Sequence, residues 1–246
     1  STALRALSTL IRAHTQDCVY LHKLAATLIV SLIELTNTSS ETETEYSAVD
    51  CIKDIVSGRN ILLEPHRTAG FALVVKIVRE TNALKESNWP LTERQSKDRG
   101  SAFAMLRGFM SFHSEHTEQD KEQICLLRQE FTKAAYLESN DETREVIFQL
   151  VCTLSFCKTT KVEESWSEVL RHLKLSSAND PNLAITLELV KYSGLCSSDV
   201  LPFFERCFAH SEESIRSATI YAFKAICWRN SRWAIPGCLI PTVLKV

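Results

Sequence analysis

Apolar residues recur at intervals of three and four along most of this chain, the period of one helix face. Leu4, Leu7 and Ile11 form a first stripe, and Leu21, Leu24, Leu28, Leu32 and Leu35 a second. Residues 36–46 are polar and break the pattern, so they predict a connection. Val49, Ile52 and Ile55 or Val56 resume it, and Gly58 reads as a C-terminal stop. A helix is expected over 65–79, opening on Pro65, whose missing N–H costs nothing at a first helical position. Gly70 inside that helix gives up about 1 kcal/mol against Ala, which points to a close helix contact there. Residues 81–97, polar and holding Pro90, predict a second connection.

Further helices are expected over 99–113, 118–137, 141–157, 163–175, 180–195, 197–209 and 212–228, with "IPGCLIPTVLKV" opening another element. Asp180 suits the N-cap of its helix, Pro181 the first position and Gly194 the C-terminal stop. The connections in this half are short, as between antiparallel helical neighbours.

Three of these helices superimpose by sequence: 143–156, 183–195 and 215–228. Each is apolar over most of its circumference and follows a more charged, amphipathic helix. Their starts are roughly 32 to 40 residues apart, the length of a two-helix repeat. One helix of a stacked hairpin is enclosed by its partner and by neighbouring repeats, whereas the other keeps a flank in water. Ala218, Ala222 and Ala225 supply small residues for close approach. The expected fold is all-α, a right-handed α-solenoid of stacked antiparallel helix pairs, occupying 1–246 as one domain; a compact helical bundle is the alternative.

Composition fits this picture. The chain has 246 residues, 45% hydrophobic and 24% charged, with only 6 Gly and 6 Pro, too few for the many tight turns of a β-sandwich. The 28 basic and 30 acidic side chains are interspersed, with no basic stripe for nucleic acid. No apolar run is long enough to span a membrane; "LAATLIVSLIEL" comes closest and ends in an acid. The chain starts and stops against helical patterns and lacks an initiator Met, so it reads as a piece of a longer protein.

The residues offer little chemistry. No Ser-His-Asp order, phosphate-cradling Gly loop or HExxH motif is present, and no cofactor is implied. The chain does not read as an enzyme. The nine cysteines are scattered without a CxxC pair, and His113 and His116 have no cysteine beside them, so no metal site is expected. Glu41, Glu43 and Glu45 read as a solvated acidic run. Asn37-Thr38-Ser39 is a glycosylation sequon in a polar run, Asn37 being the acceptor. Trp228 and Trp233 suit either a partner contact or a final stacking surface.

Leu201-Pro202, the polar turn Ser211-Glu212-Glu213, then Arg216, Ala218 and Ala222 together resemble a HEAT-type repeat. A longer run, from about 60 to 245, is similar in order and spacing to the helical superhelix of the large lipid transfer proteins. That family includes vitellogenin, apolipoprotein B, insect lipophorin and the large subunit of the microsomal triglyceride transfer protein. The matching positions are Arg144, Leu150, Leu154 and Cys157; then Leu187, Leu189, Gly194 and Leu195; then Leu201 and Pro202; then Arg216, Ala218 and Ala222. Ala69 and Gly70 resemble the family's earlier Ala-Gly hairpin. Ser193 stands where the family often has Asn, and Phe71 where it has Thr. The family's N-terminal β-barrel and lipid-lining sheets have no counterpart in this chain.

The resemblance implies lipid transport. The helices would brace the lipid-binding sheets of a secreted or endoplasmic-reticulum carrier or storage glycoprotein, with lipid held through the rest of the parent protein. Its secretory route is compatible with a glycan on Asn37 and a bridge between Cys152 and Cys157 if the last helical turn unwinds; on an intact helix, positions i and i+5 point apart. The alternative is a cytoplasmic HEAT/armadillo-like scaffold gripping a protein partner on its concave face. Reduced, buried cysteines are equally acceptable there.

Overall fold

The structure, a computed structural model, describes residues 3, 5–7, 9–10, 19–38, 47–57, 66–110, 116–158, 162–175, 177, 180–193, 195 and 200–229. Among these every regular element is a helix, so the chain is all-α. It divides into two compact units, residues 1–130 and 131–246.

The first unit holds α1 (Val19–Thr38), α2 (Ala48–Val56), α3 (Arg67–Glu86), α4 (Glu93–Met110) and the start of α5 (Glu118–Leu137). α2 opens on a capping box: Ser47 Oγ accepts from the Asp50 N–H at 3.1 Å, and Asp50 Oδ2 accepts from the Ser47 N–H at 3.2 Å. Asp50 is buried, and it also takes Lys97 Nζ at 2.9 Å and Ser101 Oγ at 3.3 Å, which ties α2 to α4. The expected close contact at Gly70 is present. A Cβ there would stand 2.5 Å from Cε2 and 2.7 Å from Cε1 of the fully buried Phe109 ring, so α3 and α4 approach only because position 70 has no side chain. Gly108 does the same for α4 against α2, where a Cβ would lie 2.9 Å from the Val56 carbonyl oxygen.

The connection expected over 81–97 is shorter. Residues 81–86 complete α3 and 93–97 open α4, leaving 87–92 between them. Thr81 and Asn82 look like loop residues but are buried and satisfied: Arg99 Nη1 donates to Thr81 Oγ1 at 2.7 Å and to Asn82 Oδ1 at 2.9 Å. Asn82 Nδ2 in turn donates to the Glu130 carbonyl at 2.9 Å. Asn88, at φ 56°, takes the left-handed turn that ends α3. At the other expected connection, 36–46, α1 continues through Thr38 and Ser47 caps α2. Residues 39–46 lie outside the described residues, as do Gly58, Pro65 and Gly194.

The second unit holds the end of α5, then α6 (Asp141–Ser155), α7 (Val162–Ser165), α8 (Ser167–Leu175), α9 (Leu183–Ser193), α10 (Val200–Phe208) and α11 (Glu213–Arg229). The helix expected over 163–175 breaks at the buried Trp166 into α7 and α8. Asp180 does not take the N-cap: α9 opens at Leu183 rather than at Pro181, and the Asp180 carboxylate instead forms an Asx turn ahead of it, accepting from the Asn182 N–H at 2.8 Å. Helices α6, α9 and α11 are the three that superimpose by sequence. α9 packs against α6, α8 and α11, and α10 packs against α8 and α11. Phe204 and Phe208 of α10 meet Phe223 of α11 edge-on, and Phe203 meets Phe204 the same way.

Candidate functional site

Two polar junctions, the first buried and the second part-buried, fix the first unit. Arg67 Nη2 meets Asp120 Oδ2 at 2.6 Å, and Thr68 Oγ1 donates to Asp120 Oδ1 at 2.6 Å. The Thr117 N–H donates to Asp120 Oδ2 at 3.0 Å, closing a capping box on α5. Burial pushes the Asp120 carboxyl up, but these donors outweigh it and the net shift is downward. In the second junction, Arg79 Nε donates to Glu130 Oε1 at 2.7 Å. Both are held by their own neighbours and, with Arg99 bonded to Asn82, serve to align α3, α4 and α5. His116, beside the first, is lowered by burial and then by the Arg67 charge, while Asp120 opposes.

A half-open cavity of about 190 Å³ lies among α1, α2, α3 and α4. Lys76, Glu80, Arg94 and Asp98 supply its charges, and Arg94 Nε already holds Asp98 Oδ2 at 2.9 Å. With two cations and two anions, it favours neither sign of ligand.

Among the described residues, no group of three or more His, Cys, Asp or Glu could hold a metal ion. No described helix is long and apolar enough to cross a membrane. His113, Glu41, Glu43, Glu45 and Trp233 lie outside the described residues. Asn37 lies in the final turn of α1, so the backbone of the sequon's first two residues is helical; Ser39 is not described. Cys152 lies within α6 and Cys157 two residues beyond its end. Both are part-exposed thiols. The end of α6 does not unwind: the N–H groups of Phe156 and Cys157 bond to Thr153 and Leu154 carbonyls at 3.3 and 3.2 Å, tightening the last turn.

Two arginines marked by the sequence have one job. Arg216, three residues into α11, donates through Nη1 to the carbonyls of His210 and Ser211, both at 2.7 Å. Arg144, three residues into α6, donates through Nε to the Glu138 carbonyl at 3.1 Å, and its Nη2 bonds the same oxygen. In both, the guanidinium reaches back six residues and locks the turn that enters the helix.

α11 differs from its expected enclosure. It buries Thr219, Ala222 and Ile226, while Ala218 and Ala225 are half-buried. On the opposite face Ile220 is 57%, Tyr221 67% and Trp228 86% exposed. Ser217, Tyr221, Lys224 and Trp228 follow at four, three and four residues, one stripe along the helix. Periodicity could not show this, because an apolar residue reads the same whether or not a neighbour covers it.

No family model matches the chain, and neither curated proteins nor solved structures gave a match.

Proposed function

We propose that this chain is a right-handed α-solenoid of HEAT/armadillo type that acts as a binding platform, bracing another folded body without catalysing a reaction. The repeated arginine lock carries the reading. Arg144 and Arg216 perform the same backbone task at equivalent places in α6 and α11, as copies of one structural unit would. Packing in the second unit supports it: α6, α9 and α11 adjoin in sequence as one row, α8 and α10 as another, and α8/α9 and α10/α11 as hairpins. The near-balanced, interspersed charge favours a protein partner over nucleic acid.

The order of motifs from Ala69-Gly70 to Arg216-Ala218 favours a second reading. In it the braced body is the lipid-binding sheet structure of a secreted carrier, and lipid is bound through the rest of that parent protein. Mass spectrometry of native material after thiol labelling separates the two. The cytoplasmic scaffold predicts a bare Asn37 and alkylated Cys152 and Cys157. A glycan on Asn37, or a bridge between those cysteines, would sink the cytoplasmic scaffold and support the carrier.

A further inference from the structure

We propose that the outer face of α11 docks a separate amphipathic helix carrying a carboxylate within its apolar stripe. The inference rests on the platform reading and names its partner class and its site. Ile220, Tyr221 and Trp228 leave apolar surface in water along one helix face. Trp and Tyr are the side chains most enriched among residues that dominate interface energies. The face also continues an existing arrangement, because α11 joins a row in which α9 packs against both α6 and α11. One more helix on α11 extends that row by the same kind of contact.

Charge selects the occupant. Lys224 lies in the middle of the stripe, is exposed, and forms no ion pair among the described residues. Glu213, in the first turn, is the sole acid in α11, and Arg216 is held by the turn carbonyls. Any helix that covers Tyr221 and Trp228 therefore takes the Lys224 ammonium out of water. Leaving it unpaired there is costly, whereas a facing carboxylate compensates. A second copy of this face brings one acid, Glu213, but an antiparallel register that sets it opposite Lys224 leaves Trp228 facing Ala209, beyond the start of α11 and uncovered by it. Residues 230–246 of the same chain contain Arg232 and Lys245 and no Asp or Glu. Neither supplies the missing charge with Trp228 covered; a separate acidic, amphipathic helix does, through apolar anchors at helical spacing.

The test places a photo-crosslinking amino acid at Ser217 of the full chain, in lysate of the source cells, and maps the crosslinked peptide by mass spectrometry. The expected product is a peptide from another polypeptide with Asp or Glu inside an apolar helical stripe. In the isolated complex, Trp228→Ala should weaken binding about thirtyfold, the size of a hot-spot loss. Lys224→Glu should also weaken it, and exchanging the partner's acid for Lys should restore it. Circular dichroism of both variants should match the parent, since both side chains are exposed. Crosslinks to residues 230–246, to α11 of a second copy, or to a peptide without an acid would overturn the proposal. So would the absence of any crosslink, or binding indifferent to Lys224→Glu. A partner captured instead by a crosslinker on α8 or α10 would remove this site and leave the platform reading standing.

Discussion

At Gly70 two effects of known size oppose each other. Alanine is the better helix former by about 1 kcal/mol, but its methyl group would press into the Phe109 ring, which is fully buried and cannot swing away. Overpacking of a filled core costs about 1–3 kcal/mol, so Gly70→Ala should lower stability to urea, and Phe109→Leu in the same chain should recover part of the loss. Gly100, exposed in α4 with nothing within 4 Å of a new Cβ, is the control. Gly100→Ala should raise stability by about 0.5–1 kcal/mol. The buried acids add a pH dependence. Asp120 is held below the usual carboxylate range, and so is Asp50, where donors including Lys97 outweigh burial. Glu168, hydrogen-bonded to His172 and Arg171, is lowered to about 2 despite burial. Folding lowers their proton affinity, so the stability they add is complete above about pH 4.5 and is lost as pH falls through their folded values. Urea midpoints measured between pH 7 and 2.5 should fall along this course. Asp120→Asn should cost about 3–5 kcal/mol at pH 7 and flatten the dependence.

Among the helices, α5 is legible in the sequence to the residue, at 118–137, because its apolar period and its start coincide. The end of α3 is not. Thr81 and Asn82 are polar, and only the hydrogen bonds from Arg99 and to Glu130 explain how they are buried. The start of α4 had a local signal, Thr92-x-x-Gln95. The Thr92 N–H donates to Gln95 Oε1 at 3.0 Å, and the Gln95 N–H donates to Thr92 Oγ1 at 3.2 Å, a capping box. The site divides in the same way. Arg216 could be marked from sequence, whereas the stripe of Ile220, Tyr221 and Lys224 needed the packing of α11 against α9 and α10 to show which face stays open. The α2 cap provides a test at this scale. Ser47→Ala should cost about 1 kcal/mol, read as a lower urea midpoint. Asp50→Ala should cost more, because it also removes the partner of Lys97 and Ser101.

Over the whole molecule, each compact unit carries a buried thiol: Cys51 in the first and Cys207 in the second, both pushed up to about 11 by burial. At neutral pH neither should react with a thiol reagent until its surroundings open. Labelling followed by mass spectrometry across a urea series should therefore report the opening of each unit separately, with Cys157 reacting from the start. The two arginine locks also set where the chain can change length. Each spans six residues from a loop carbonyl to a guanidinium, and one added residue moves that carbonyl by up to about 3.5 Å, beyond reach of a hydrogen bond. An insertion between Glu138 and Asp141, or between His210 and Glu213, should therefore destabilise the chain. The same insertion after Trp89 falls between the turn that ends α3 and the cap that starts α4, and should be borne at little cost. Natural variation in the length of such a chain would collect at that tip and leave the two locked turns alone.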